Sequence, residues 1–415
     1  MRTGSEWSNR TYGGTTFDYA YSVIQTLDGG YLLVGSTESF GEGKMDLWLV
    51  KTDENGTAEW NHTYGGKYNE VGSSVIQMAD GGYVLAGYTE SGIEGNADGW
   101  LVRVNDNGEI VWDHTYGGPK LDIARSVVQA PDGGFALVGY TGSYGEGDDD
   151  MWLIKTDETG IVEWNQTFGG TMLDHGYSLV STKDGGYALV GKTMSVGAGQ
   201  SDMWLVKTNE TGGIEWSHTY GGIGPEEAVA VVQTHDGGYT LAGSTYSFGL
   251  GSADLWMIRI DEKGLVQWNQ TYGGEAKDNG YSMIKTHDQG YALAGRTWSF
   301  GMGQGDMWLV KIDENGSTEW NQTFGGFGYD AASKVIQTGD EDYILAGSTY
   351  SFGSGSSDML LVTTGSFGTS SSDMSSVGTD VMDTPITSNI TLYSGLIGFV
   401  ALIVCLIERK RRNKS

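Results

Sequence analysis

Short apolar runs of five to eight residues, rich in Val, Ile, Tyr, Trp and Thr, recur along the chain up to residue 364, and clusters of Gly, Asp and Asn separate them. Such runs bounded by turn residues predict strands joined by hairpins. In the first copy the strands fall near 20–26, 31–37, 46–52 and 57–64. No helical period of useful length occurs before residue 390.

The runs belong to a repeat. Trp stands at positions 7, 60, 112, 164, 216, 268 and 320, spaced by 53 residues and then by 52 five times. Each Trp opens a segment ending in Thr-Tyr/Phe-Gly-Gly, as in Thr11-Tyr12-Gly13-Gly14. An acid follows, then an apolar run, an Asp-Gly-Gly turn, a second run, a Ser-Phe-Gly-like loop, an Asp-x-Trp strand and an Asp-Glu-Asn-Gly turn. Seven units of four strands predict an all-β, seven-bladed β-propeller. The chain opens on the fourth-strand motif (Glu6-Trp7 to Gly14) and its last repeat stops after the third strand (Asp358 to Thr363). The N-terminal strand therefore completes the seventh blade, and a closed ring needs no capping repeat. A second Trp column runs from Trp48 to Trp308, with Leu360 in the seventh copy. Both columns read as filling between neighbouring sheets rather than as a ligand cage.

The segment Asp157-Glu158-Thr159-Gly160-Ile161-Val162-Glu163-Trp164 resembles the tryptophan-docking repeat of quinoprotein-like propellers, one residue shorter, and Asn209 to Trp216 is similar. Over residues 5–364 the array resembles the seven-bladed propeller repeat proteins of archaeal and bacterial cell surfaces. The resemblance implies the architecture and no particular activity. Quinoprotein dehydrogenases would bring a vicinal Cys pair; Cys405 is the chain's one cysteine and lies outside the repeats, so that cofactor does not carry over. Kelch and WD40 propellers are less similar.

Beyond the repeats the pattern changes. Residues 365–389 hold 11 Ser or Thr, three Asp and no base, and predict a flexible stalk. Residues 390–407 are uncharged and mostly apolar, which predicts a short transmembrane helix, and the basic stretch within 408–415 places that tail in the cytoplasm and the propeller outside. The sequons at Asn9, Asn55, Asn61, Asn165, Asn209, Asn269, Asn315, Asn321 and Asn389 agree with that side, although repetition inflates their number. Met1 to Ser5 carries no apolar core, so an upstream secretion signal is expected.

Charge narrows the partners. Of 53 acids and 24 bases, one acid and five bases lie in residues 390–415, so the rest holds 52 against 19 and carries −33. Such a surface excludes nucleic acid and favours cations, basic partners or neutral ligands such as glycans. The six His residues form no metal spacing, and no catalytic constellation stands out.

In a four-stranded meander the connections alternate between two faces. The Asp-Gly-Gly and Asp-Glu-Asn-Gly turns share one face and barely vary. On the other face the three residues between Gly-Gly and the acid change in every copy, from Thr15-Thr16-Phe17 to Phe327-Gly328-Tyr329. Near-identical repeats that differ on one face describe a scaffold presenting a diversified surface, with simple drift as the alternative. Phe17, Tyr19, Tyr246, Trp298, Phe327, Tyr329 and Tyr350 come from blades five, six, seven and one and suit stacking on sugars or a protein hot spot. Phe40, Phe248, Phe300 and Phe352 recur in the same loop column and are expected to pack beneath them.

The acid column (Asp18, Glu70, Asp122, Asp174, Glu226, Asp278, Asp330) has two readings. It forms a ring at the axis that attracts Ca²⁺ or another hard cation, or each acid caps loop amides. The Asp46 column reads as turn caps and the Lys51 column as blade-edge ion pairs. Small residues two positions after each acid (Ala20, Gly72, Ala124) suggest crowding at the axis. The sequence thus describes an extracellular binding or adhesion module for a glycan, envelope polymer or surface protein. An exported glycan-active or redox enzyme and a passive envelope scaffold are the alternatives.

Overall fold

The computed structural model describes residues 7–92 and 96–365, which hold 28 strands, from Ser8–Tyr12 to Asp358–Thr363, and no helix. They form seven four-stranded antiparallel sheets. Six are consecutive meanders, blades one to six, beginning with Asp18–Gln25, Tyr31–Thr37, Asp46–Thr52 and Ala58–Tyr64 in blade one. Blade seven takes Asp330–Gln337, Tyr343–Thr349 and Asp358–Thr363 and adds Ser8–Tyr12 as its outer strand, with Thr11 opposite Leu360. The first strand of each blade lies beside the first strand of the next, and that of blade seven beside that of blade one. The ring is closed, as the repeat count requires. The expected transmembrane span 390–407, the tail and Asn389 lie outside the described residues, as does nearly all of the stalk.

Burial follows the position of each strand. Second and third strands such as Tyr31–Thr37 and Asp46–Thr52 are buried throughout, whereas the fourth strand Ala58–Tyr64 is largely exposed. Each hydrophobic cluster joins two consecutive blades: Leu32, Val34, Leu47 and Leu49 of blade one pack with Val75, Tyr83, Leu85 and Trp100 of blade two. Apolar burial of this kind supplies the main stabilising term.

At four seams the fourth-strand Trp joins a blade to its successor. Gly108, in the Asn-Gly turn of blade two, has φ of 82°, and a Cβ placed on it would lie 3.0 Å from Trp60 of blade one. The same contact joins Gly160 to Trp112, Gly212 to Trp164 and Gly316 to Trp268. These turns need glycine twice over, for the left-handed backbone and for the indole beside it. Four residues further along the same strand, Tyr64, Tyr116, Tyr220 and Tyr272 donate their hydroxyls to the carbonyls of Gly108, Gly160, Gly264 and Gly316 at 2.5–2.8 Å.

The Lys51 column forms the expected ion pairs. Lys155 bonds Asp132 at 2.6 Å and Glu163 at 2.7 Å, and it also caps the Thr156 carbonyl. Two expectations are corrected. The first strand begins at the acid, not two residues later, because the Asp18 amide donates to Ser357 of blade seven at 2.8 Å and Asp18 pairs with Thr37. The small residues that follow are crowded by the preceding blade, not by the axis: a Cβ on Gly72 would lie 2.5 Å from Val34 and 3.0 Å from Leu47.

Trp152 of blade three is buried against blade two, in one cluster with Val84, Leu101 and Tyr116. Trp152→Ala is expected to cost about 3–5 kcal/mol, read as a lowered urea midpoint for the full chain.

Candidate functional site

The variable face is built on the acid column. Asp18 accepts the Gly14 amide at 2.8 Å and the Ser39 hydroxyl at 2.7 Å, together with the Thr37 hydroxyl. Asp122, Asp174, Asp278 and Asp330 accept the corresponding Gly amide and Ser hydroxyl, and Glu70 and Glu226 use a Gly amide and a Thr hydroxyl. The Ser then turns outward: the Ser39 oxygen accepts the Thr16 amide at 3.1 Å, inside the variable triplet. Each acid thus ties the two loops of its blade together. All seven are buried, and among the described residues no three His, Cys, Asp or Glu side chains form a metal-binding group. This arrangement is the loop-capping one, with the carboxylates spent on local donors.

Each column acid also faces the acid that opens the third strand of the preceding blade, across the first Gly of Gly-Gly. A Cβ on Gly169 would lie 1.7 Å from Asp150 and 2.8 Å from Asp174, so no side chain fits there. Burial, and then the Asp174 charge, push Asp150 up to about 6; burial and Asp330 push Asp306 to about 6 as well.

The structure brings most of the aromatic candidates into two groups. Phe17 and Tyr19 stack at 6.2 Å with planes 22° apart, and the Tyr350 ring lies 6.4 Å from Phe17. The Tyr19 and Tyr350 hydroxyls stand 3.4 Å apart, and Tyr329 meets Tyr350 edge-on at 6.2 Å. In the second group Lys277 lies 5.3 Å from the Tyr246 ring and 5.9 Å from that of Trp298, while the Arg296 guanidinium stacks on Trp298 at 3.9 Å. Tyr19 is buried, Tyr246 is 44 % exposed, and Phe327, which joins neither group, is 83 % exposed. Phe40, Phe248 and Phe300 lean on Trp48, Trp256 and Trp308 at 5.1–5.5 Å with one side open.

Inward of these groups lies a cluster that the sequence analysis passes over. A bulge in each first strand leaves one residue unpaired: Tyr21, Ser73, Arg125, Tyr177, Val229, Tyr281 and Ser333. Such bulges re-aim side chains. Arg125 donates to the Tyr140 hydroxyl at 3.2 Å, and its charge also acts on Tyr21, Tyr88 and Tyr177, so side chains of four blades converge on it. Tyr140 stacks on His175 at 4.0 Å, and burial holds His175 down at about 4 despite Asp149 at 3.5 Å. Lys192 interacts with Tyr177 and Glu227. The signal in the sequence is the changing residue at the bulge, where its neighbours repeat.

The remaining candidates are scaffold elements in the described residues. Asn61, Asn165, Asn269 and Asn321 are exposed on outer strands, and their side-chain oxygens accept the indole N–H of Trp48, Trp152, Trp256 and Trp308 at 3.1–3.3 Å. Asp113 does the same for Trp100, so repeat structure accounts for this column. A glycan on the amide nitrogen leaves that oxygen free. Asn209 and Asn315 are exposed in turns; Asn9 and Asn55 are half-buried. His62, His114 and His218 bond carbonyls of the next blade's turn at 2.9–3.0 Å.

These features define a closed seven-bladed propeller with one diversified face. No family model and no curated protein matches the chain. Among solved structures it is similar to the WD40 domain of Neurospora crassa Pan2, at 7 % identity over 83 % of this chain and 89 % of that one, with a TM-score of 0.51. It is also similar to puromycin hydrolase, at 13 % identity over 80 % of this chain and 50 % of that one, TM-score 0.51. At such identities the likeness is one of fold.

The carboxyl groups predict a pH optimum of stability. Asp150 and Asp306 bind protons more readily folded than unfolded, so stability rises as pH falls from about 6 towards 4. Asp28, Asp184 and Asp288 behave oppositely: burial raises them, but bonds from Lys51, Lys207 and Lys311, from a Thr hydroxyl and from a Gly amide together hold them at about 2, so their contribution is lost as pH falls below 4. Urea midpoints should peak near pH 4–5, and Asp150→Asn/Asp306→Asn should flatten the rise between pH 6 and 4.

Proposed function

We propose that the ring is a binding module that engages a glycan, envelope polymer or surface protein through its variable face. The observation that carries this reading is the gathering of Phe17, Tyr19, Tyr329 and Tyr350 at the seam of blades seven and one, beside Tyr246 and Trp298, on loops that buried carboxylates hold in place. Rigid rings with a polar edge give large contact area at small entropic cost. Sugar faces and protein side chains both stack on such rings. The resemblance to cell-surface propellers supports a place outside the cell. The apolar stretch 390–407 and the bases after it support a single-pass anchor with the tail in the cytoplasm.

The full chain in detergent should bind isolated cell envelopes and a glycan panel saturably. Trp298→Ala/Tyr329→Ala/Tyr350→Ala should weaken that binding at least about tenfold, as loss of central aromatic anchors does. Equal binding by the parent and the triple variant would sink the proposal.

A further inference from the structure

The second strand ends on Ser-Thr in blades one, five and seven, as in Ser36-Thr37, and this Ser is small and uncharged; in blade five the Ser244 oxygen accepts the Asn279 amide at 3.1 Å. Blade six places Arg296 there instead. Arg296 is 3 % exposed, and its buried Nε and Nη2 have no hydrogen-bond partner. Its guanidinium face lies on Trp298 at 3.9 Å. Burying unmet donors of a permanent charge costs stability that stacking on one ring offsets only in part. A residue kept at such a cost is a candidate for function.

The surroundings indicate what those donors meet. All guanidinium N–H groups lie in its plane, so stacking on the indole leaves the edge free, and that edge matches two oxygens of a carboxylate or sulfate. Lys277 adds a second cation beside the same indole at 5.9 Å, and the Arg296 charge reaches Tyr281 and Tyr350. Among the described residues no carboxylate forms an ion pair with Arg296, although the charges of Glu227 and Glu38 also reach Tyr281 and Tyr350. A local pair of cations thus sits in a chain whose charge, outside residues 390–415, is −33 from 52 acids and 19 bases. That field repels densely charged polyanions but is screened within about 8 Å at physiological salt. A ligand with at most one charge per sugar reaches the cations; duplex nucleic acid, with a charge about every 1.7 Å of its axis, does not.

We propose that Arg296, aided by Lys277, binds the anionic group of a ligand lying on the aromatic patch, and that the ligand is an acidic, uronate-type polysaccharide. This rests on the patch being a glycan-binding surface. The ring stacks on Tyr246 or Trp298, and its carboxylate takes the unmet guanidinium donors.

The test compares hyaluronan, alginate and polygalacturonate with their carboxyl-reduced forms, using the full chain in detergent, with dextran sulfate as the sulfate arm. At least one uronate polymer should bind about tenfold more tightly than its reduced form. Arg296→Gln should remove that difference while the reduced polymer still binds, and Arg296→Lys should keep part of it. Arg296→Gln should unfold at the same temperature as the parent or higher, since it removes a buried unpaired charge. Trp298→Ala should weaken both forms alike. Equal binding of acidic and reduced polymers, or an unchanged preference in Arg296→Gln, overturns the anion site and leaves the aromatic surface standing. Tightest binding to dextran sulfate, lost in Arg296→Gln, keeps the anion site and overturns the uronate assignment. No binding by any polymer overturns the uronate assignment, while saturable envelope binding lost in the triple aromatic variant leaves the proposed binding surface standing.

Discussion

The ring depends on an indole laid against a bare backbone turn. Trp60, Trp112, Trp164 and Trp268 each rest on a glycine of the next blade, with no Cβ between them. That contact fixes how closely neighbouring sheets approach, and the tyrosine hydroxyl bonded to the same glycine carbonyl fixes how far one slides along the other. Hydrophobic filling is plentiful but non-directional. The Trp–Gly contact gives it a register at four of the seams between neighbouring blades.

The acids perform the complementary task at the other face. By holding the Gly-Gly loop and the Ser-bearing loop from beneath, Asp18 and its equivalents separate what keeps a loop in shape from what the loop displays. The triplet between them is then free to change from Thr15-Thr16-Phe17 to Ile223-Gly224-Pro225 without loss of the underlying bonds. A repeat can diversify there because its stability is invested elsewhere.

Strands, blade number and closure were legible in the sequence because short apolar runs bounded by turn residues and a near-constant spacing report them directly. The aromatic candidates were legible because they interrupt a repeat with large rings. Arg296 and Arg125 were visible only as broken columns. Nothing in a linear pattern says that a bulge re-aims Arg125 towards Tyr140, or that Arg296 is buried against Trp298 with its donors unmet. The acid column left two readings open for a related reason. Seven acids at one period look like a ring, yet each bonds within its own loops, which is a matter of side-chain direction rather than spacing.

The chain leaves the ring from the third strand of blade seven. That strand, Asp358–Thr363, is flanked on one side by Tyr343–Thr349 and on the other by Ser8–Tyr12. A pull transmitted through the downstream segment therefore enters an interior strand of the sheet. Two antiparallel ladders resist it, where an outermost strand would be peeled from one. The strand closing the circle also serves as a mechanical brace at the point where the chain leaves the ring.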